Sequence, residues 1–144
     1  MEEIEQGIEL TVACYLATTK LVLLARAIGW EAPPWAATDR SLVASVIRYR
    51  MLARDLSLED VLFAPYQFQV APLLNKDPPD MPQLMTLAGK AMGWQLDNLP
   101  VRASHFWSPK MLDQPPFWAD TQREVEVDDG AIHRYYLLPD WGMR

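Results

Sequence analysis

Residues 23–34 read Leu-Leu-Ala-Arg-Ala-Ile-Gly-Trp-Glu-Ala-Pro-Pro, and the fold turns on where this run stops being helical. Upstream, Ile4, Ile8, Val12, Tyr15 and Leu16 recur at helical spacing, and Leu21, Leu24, Ala25 and Ile28 continue the pattern. The spacing predicts two helices, or one bent helix, over roughly the first thirty residues. Pro33 and Pro34 stop it, since proline lacks the backbone N–H a helix needs and disfavours the helical conformation of the residue before it. Glu31 is thereby expected where a helix opens into a loop.

Downstream, Thr38 or Asp39 can cap a helix to about Arg54 whose buried stripe is Leu42, Val43, Val46, Ile47 and Met51. Ser57 with Asp60 has the form of a capping box and starts a short helix through Phe63, which Pro65 stops. The proline-rich stretch 64–80 reads as an extended loop, after which Asp80 and Pro82 open a further helix that Gly93 closes. Beyond Gly93 the pattern turns to β. Residues 103–107, 123–127 and 132–138 are rich in β-branched and aromatic side chains, and Asp128-Asp129-Gly130 suits a turn between the last two segments. The expected fold class is mainly α, or α+β: one domain over residues 1–144, a helical body followed by a small C-terminal β element.

Composition agrees with a single core. A chain of 144 residues can bury about 68–70% of its unfolded surface, and 50% apolar with 22% charged residues suits a globular protein rather than a disordered one. The net charge of −6 argues against a nucleic-acid partner, which needs a basic stripe to replace phosphate counterions. Cys14 is the single cysteine, set among apolar residues, so no internal disulfide can form and an inert buried thiol is the expectation. The start Met1-Glu2-Glu3-Ile4-Glu5 lacks the basic opening of a secretory signal, and Lys20 and Arg26 interrupt the apolar stretch 12–28, so neither an export signal nor a membrane span is expected.

The motifs extend the argument. The segment Leu23 to Ala32, ending in Glu31-Ala32, resembles the first signature of the SleB-type cell wall hydrolase family, a helix closed by a Glu-Ala pair. Residues 42–50, Leu-Val-Ala-Ser-Val-Ile-Arg-Tyr-Arg, are similar to that family's second helix, with Arg50 kept and Tyr49 where the family carries asparagine. Leu58 to Leu62 followed by Tyr66-Gln67-Phe68 resembles its short helix and Gln-Phe block, and the helix from Leu84 to Gly93 followed by Ala103-Ser104-His105-Phe106-Trp107 resembles its alanine-rich helix and aromatic strand. Ala131-Ile132-His133-Arg134-Tyr135-Tyr136 is similar to its closing Gly-x-His-x-Phe-Tyr strand, with Ala131 at the glycine position. The blocks keep the family's order over residues 22–138; each is weak alone, and their order is the stronger signal.

The resemblance implies a lysozyme-like fold that cleaves peptidoglycan glycan strands with Glu31 as catalytic acid. Gln67 would line the cleft, with Phe68, Tyr49, His133, Trp107 and Tyr135 as further substrate-binding candidates; no metal and no cofactor is implied. Protonation of a glycosidic oxygen by a carboxyl group partly buried beside apolar rings is the chemistry that needs such a glutamate, and Trp30 and Trp35 flank it. Most glycosidases also need a second carboxylate. None is obvious: Asp39 heads a helix, and Glu59 and Asp60 suit a solvated first turn. A lytic transglycosylase, in which the muramic residue traps the cleaved sugar while the glutamate acts as acid and then base, fits this pattern better than an inverting hydrolase. Without an export signal, carriage in a phage particle would bring such an enzyme to the wall, with other virion proteins as partners.

Plainer readings stand beside these. Glu31 can be a solvated helix-end carboxylate, Gln67 a loop-bonding side chain, and Trp107 and Tyr135 core aromatics. His105 and His133 on neighbouring strands, without paired acids, make a poor metal site. Tyr49 and Ala131 at the family's asparagine and glycine positions also leave open a virion structural or interaction protein that keeps the fold without the activity.

Overall fold

The computed structural model describes residues 2–64, 71–110 and 112–141. Four helices precede a three-stranded sheet: α1 (Glu2–Glu31), α2 (Ala37–Arg54), α3 (Leu58–Leu62), α4 (Met81–Met92), then β1 (His105–Trp107), β2 (Glu124–Val125) and β3 (Arg134–Tyr136). The protein is therefore mainly α with a small antiparallel β element, as the change of pattern after Gly93 predicts.

The first thirty-odd residues form one continuous helix rather than two. Its two parts differ. Residues 2–20 are exposed, including Cys14, which is therefore not the buried thiol its apolar neighbours suggest, whereas Leu24, Ala25, Ala27, Ile28 and Gly29 are buried in the core. By length and composition alone α1 would be long and apolar enough to cross a membrane, although its last third is committed to the protein interior. Gly29 marks the closest approach: a Cβ there would lie 2.4 Å from the Pro78 ring and 2.6 Å from Leu84. Only glycine lets α1 settle this tightly against the start of α4 and the loop before it.

The main core joins Leu24 and Ile28 of α1, Val43 and Ile47 of α2, Leu58, Val61 and Leu62 of α3, and Leu84, Ala88 and Ala91 of α4. Each large aliphatic side chain so buried contributes about 1.5–3 kcal/mol relative to exposure. The capping box at Ser57 forms as the sequence predicts, with the Ser57 hydroxyl accepting from the Asp60 N–H and the Asp60 carboxylate from the Ser57 N–H. Gly93 closes α4, but with φ −91° rather than in the left-handed region, so the end is a tight turn onto Lys90 and Ala91 carbonyls.

The sheet has the order β1-β3-β2, both pairs antiparallel. Phe106 pairs with Tyr135, and Val125 pairs with Tyr135 on the other side. Since side chains alternate along a strand, Phe106, Tyr135 and Val125 share one face, and His105, Trp107 and Tyr136 share the other. The first face covers a second core of Leu42, Val46, Val101 and Ala103. Polar links from α2 fix the strand approaches: the Ser45 hydroxyl donates to the Val101 carbonyl at 2.6 Å and accepts its N–H at 3.1 Å, and Arg50 Nε donates to the Ser104 carbonyl at 2.6 Å.

The strands are shorter than the predicted segments for an identifiable reason. Ile132 and His133 leave the ladder because their N–H groups are taken by the Asp39 carboxylate, at 2.8 and 3.0 Å. That fact also corrects the cap expected for α2. The N-cap position is Ala36, without a side-chain bond, and Asp39 in the first turn is fully buried and bonded to the β3 segment rather than to its own helix. Its negative charge still faces the favourable end of the helix dipole.

Candidate functional site

Glu31 is the last residue of α1, and two contacts hold the chain where it leaves the helix. The His133 Nε2–H donates to the Glu31 carbonyl at 3.0 Å, and Arg40 Nε donates to the Ala32 carbonyl at 3.1 Å. A carbonyl can only accept, so Nε2 must carry the hydrogen. Both bonds satisfy carbonyls that a helix end would otherwise leave unpaired.

The Glu31 carboxyl is half-buried, and among the described residues it meets neither a cation nor a hydrogen-bond donor. Burial raises its pKa from 4.5 to about 7. Removing water from a carboxylate without supplying a compensating charge favours the neutral acid, so the group holds a transferable proton close to neutral pH.

Beside it stands a network built on Asp39. In addition to the two backbone N–H groups, the Asp39 Oδ1 accepts from the Tyr135 hydroxyl at 2.8 Å. The His133 Nδ1 lies 3.8 Å from the same oxygen, buried and outside hydrogen-bond range. Phe106 stacks on the His133 ring with centroids 5.4 Å apart and an interplanar angle of 10°, and Tyr135 completes the aromatic group at 5.9 Å from Phe106. Burial is the main cause that pushes the Tyr135 phenol far above its usual pKa, and the charges of Asp39 and Glu31 add to it. Glu31, His133 and Tyr135 are thus brought together as three of the residues singled out in the sequence.

The others are placed elsewhere. Trp107 sits on the opposite sheet face, its Nε1–H donating to the Tyr136 hydroxyl at 3.1 Å. Tyr49 is buried on α2 with its hydroxyl donating to the Trp141 carbonyl, away from Glu31 and at the other end of that helix. Gln67 and Phe68 lie outside the described residues. Of the two flanking tryptophans, Trp30 donates Nε1–H to the Lys76 carbonyl at 3.0 Å, and Trp35 is 68% exposed with the Lys110 ammonium 5.3 Å from its ring. Trp35 therefore does not desolvate Glu31.

Two contributors escaped the sequence reading. Asp39 was visible only as a helix-start residue, and Phe106 stood between the more conspicuous His105 and Trp107; period-two alternation would have placed it on the Tyr135 face. His105 itself belongs to a different cluster with Trp118, 4.8 Å away, and burial, Arg50 and Arg54 lower its pKa to about 4. Among the described residues no group of three His, Cys, Asp or Glu side chains converges to hold a metal ion.

Comparison with known proteins adds no identity: no family model, no curated protein and no solved structure matches the chain.

Proposed function

We propose that the protein is a peptidoglycan-cleaving glycosidase, a lytic transglycosylase or related muramidase, with Glu31 as its general acid. The observation that carries this reading is the carboxyl group held at a helix end with its pKa near 7 by burial alone. An acid of that strength can protonate the oxygen between a muramic residue and glucosamine as the C–O bond breaks. The resulting Glu31 carboxylate then accepts the proton from the muramic residue's own hydroxyl as that oxygen closes on the anomeric carbon. One glutamate thus serves in both directions, and no second carboxylate is required. Asp39 does not supply one: it is fully buried, with its oxygens committed to Ile132, His133 and Tyr135.

His133 and Tyr135, singled out in the sequence as substrate-binding candidates, are buried and bonded within the protein, so in this reading they hold the end of α1 and Asp39 in place rather than meet the glycan. Gln67 and Phe68 remain part of the proposed cleft on the strength of the motif they complete. Delivery to the wall in a phage particle belongs to the same proposal. The confinement of Tyr49 to the Trp141 carbonyl favours a second reading, a virion protein that keeps this architecture without cleaving glycan, since the position at which the family carries asparagine is turned away from Glu31.

The test is release of soluble muropeptides from purified sacculi by the wild type and by Glu31→Gln, with the products weighed. The proposal expects soluble fragments from the wild type and none from the variant; fragments lighter by one water than hydrolytic products identify transglycosylation, and hydrolytic masses identify a muramidase. Equal release by both removes Glu31 from the chemistry, and absence of release by the wild type supports the second reading.

A further inference from the structure

The first two-thirds of α1 makes no use of the core just described. Ile4, Ile8, Val12, Tyr15 and Leu16 share one face of the helix and are 51–70% exposed, and residues 2–20 contain no buried position. An isolated helix of this length is marginal in water, and a contiguous apolar strip of this kind marks a contact surface. The charges say what the contact is. Glu2, Glu9 and Lys20 are separated by seven and eleven residues, close to two and three whole turns, so they lie along one flank of the strip. Acid occupies one end of that flank and base the other.

We infer that residues 2–20 of α1 pair antiparallel with the same segment of a second copy of this chain. In an antiparallel pair related by a two-fold axis each flank meets its own counterpart, so Glu2 of one chain comes beside Lys20 of the other. The same register sets Ile8 level with Cys14, one residue from Tyr15, and brings the two copies of Thr11 to the axis. A parallel pair would instead gather Glu2, Glu3, Glu5 and Glu9 of both chains at one end, with like charges adjacent. A bilayer fits less well. The uncharged run 10–19 spans about 15 Å at 1.5 Å per residue, half of a hydrocarbon core of about 30 Å. Extending it reaches Leu24 and Ala25, which are already buried in the protein. A helix lying on an anionic membrane surface would carry Lys and Arg rather than four glutamates in its first turns.

The inference is independent of the Glu31 chemistry, and the full-length protein tests it. Sedimentation equilibrium from roughly 1 to 100 µM is expected to show a dimer. Lys20→Glu should weaken association at least tenfold, and adding Glu2→Lys to it should restore most of that loss at low salt, because the flank is then reversed at both ends. In a Cys14→Ser background, Thr11→Cys should form an intermolecular disulfide under mild oxidation and Ile4→Cys should not, since antiparallel pairing sets the two copies of residue 4 about 20 Å apart. A monomer throughout the concentration range overturns the inference, as does ready cross-linking of Ile4→Cys, which signals parallel pairing. Flotation of a monomeric protein with phosphatidylcholine or phosphatidylglycerol vesicles overturns it in favour of a membrane. All of these substitutions fall on exposed helix positions, so the fold is expected to survive them.

Discussion

Glu31→Gln should make the protein more stable at neutral pH while it removes the transferable proton. The shift from 4.5 to about 7 means that the folded protein holds a proton that the unfolded chain has released across the intervening range. Wherever the native state binds more protons, stability falls as pH rises. The wild type therefore has its full stability below about pH 4.5 and loses part of it progressively up to about pH 7. Two and a half pH units at 1.36 kcal/mol each set an upper bound of about 3 kcal/mol on that loss, and the partial exposure of the group lowers the expected value to about 2 kcal/mol. Glutamine does not ionise, so the variant should show none of this contribution. Urea unfolding of both proteins at pH 4, 6 and 8 reads the difference: the two midpoints should differ least at pH 4, and by pH 8 the variant's should have risen relative to the wild type's by about 1 M, for a slope of about 2 kcal/mol/M. A difference that stays constant from pH 4 to pH 8 would refute the burial of an acidic proton at Glu31, whatever the protein's activity.

Other consequences follow from neighbouring residues. If Glu31 is the acid, the rate of sacculus cleavage should fall about tenfold per pH unit above roughly pH 7, and an initial-rate profile that stays flat to pH 9 would contradict it. Asp39→Ala strips the partner from two backbone N–H groups and the Tyr135 hydroxyl, and should cost about 3 kcal/mol or more by denaturant unfolding; Asp39→Asn, which keeps an acceptor, should cost less. Gly29→Ala places a methyl group against Pro78 and Leu84 and should destabilise by about 1–3 kcal/mol, seen as a lowered Tm. Tyr135→Phe keeps the ring against Phe106 but removes the bond to Asp39, and should cost about 1–2 kcal/mol with little change in near-ultraviolet dichroism from the remaining aromatics.

The helical body was legible because its signals are local. Two prolines, a capping box and the aliphatic stripe of α2 act within a few residues of where they are read, and the structure places α1, α2, α3 and α4 accordingly. What escaped depends on partners far along the chain. Asp39 has the same sequence signature whether it caps its own helix or accepts from residues 93 to 96 positions away, and only the return of β3 decides. Trp107 and Tyr135 look alike as strand aromatics, yet a register that pairs Phe106 with Tyr135 sends them to opposite faces. Glu31 was identifiable as a helix-end acid, but its surroundings were not: Trp35, four residues on, is mostly exposed, and the aromatic side chains gathered around Asp39 come from residues 106, 133 and 135.

The bond from His133 to the Glu31 carbonyl joins residues 102 positions apart, and the bonds to Asp39 close loops nearly as long. Contacts of such sequence separation carry the largest closure entropy and form late, after the locally determined helices. Until the chain folds, Glu31 is an ordinary solvated carboxylate that ionises near pH 4.5, and its proton affinity rises only as burial removes its water. The proton affinity of this one side chain thus reports on whether the end of α1 is buried, and acid chemistry near neutral pH at Glu31 requires the folded chain.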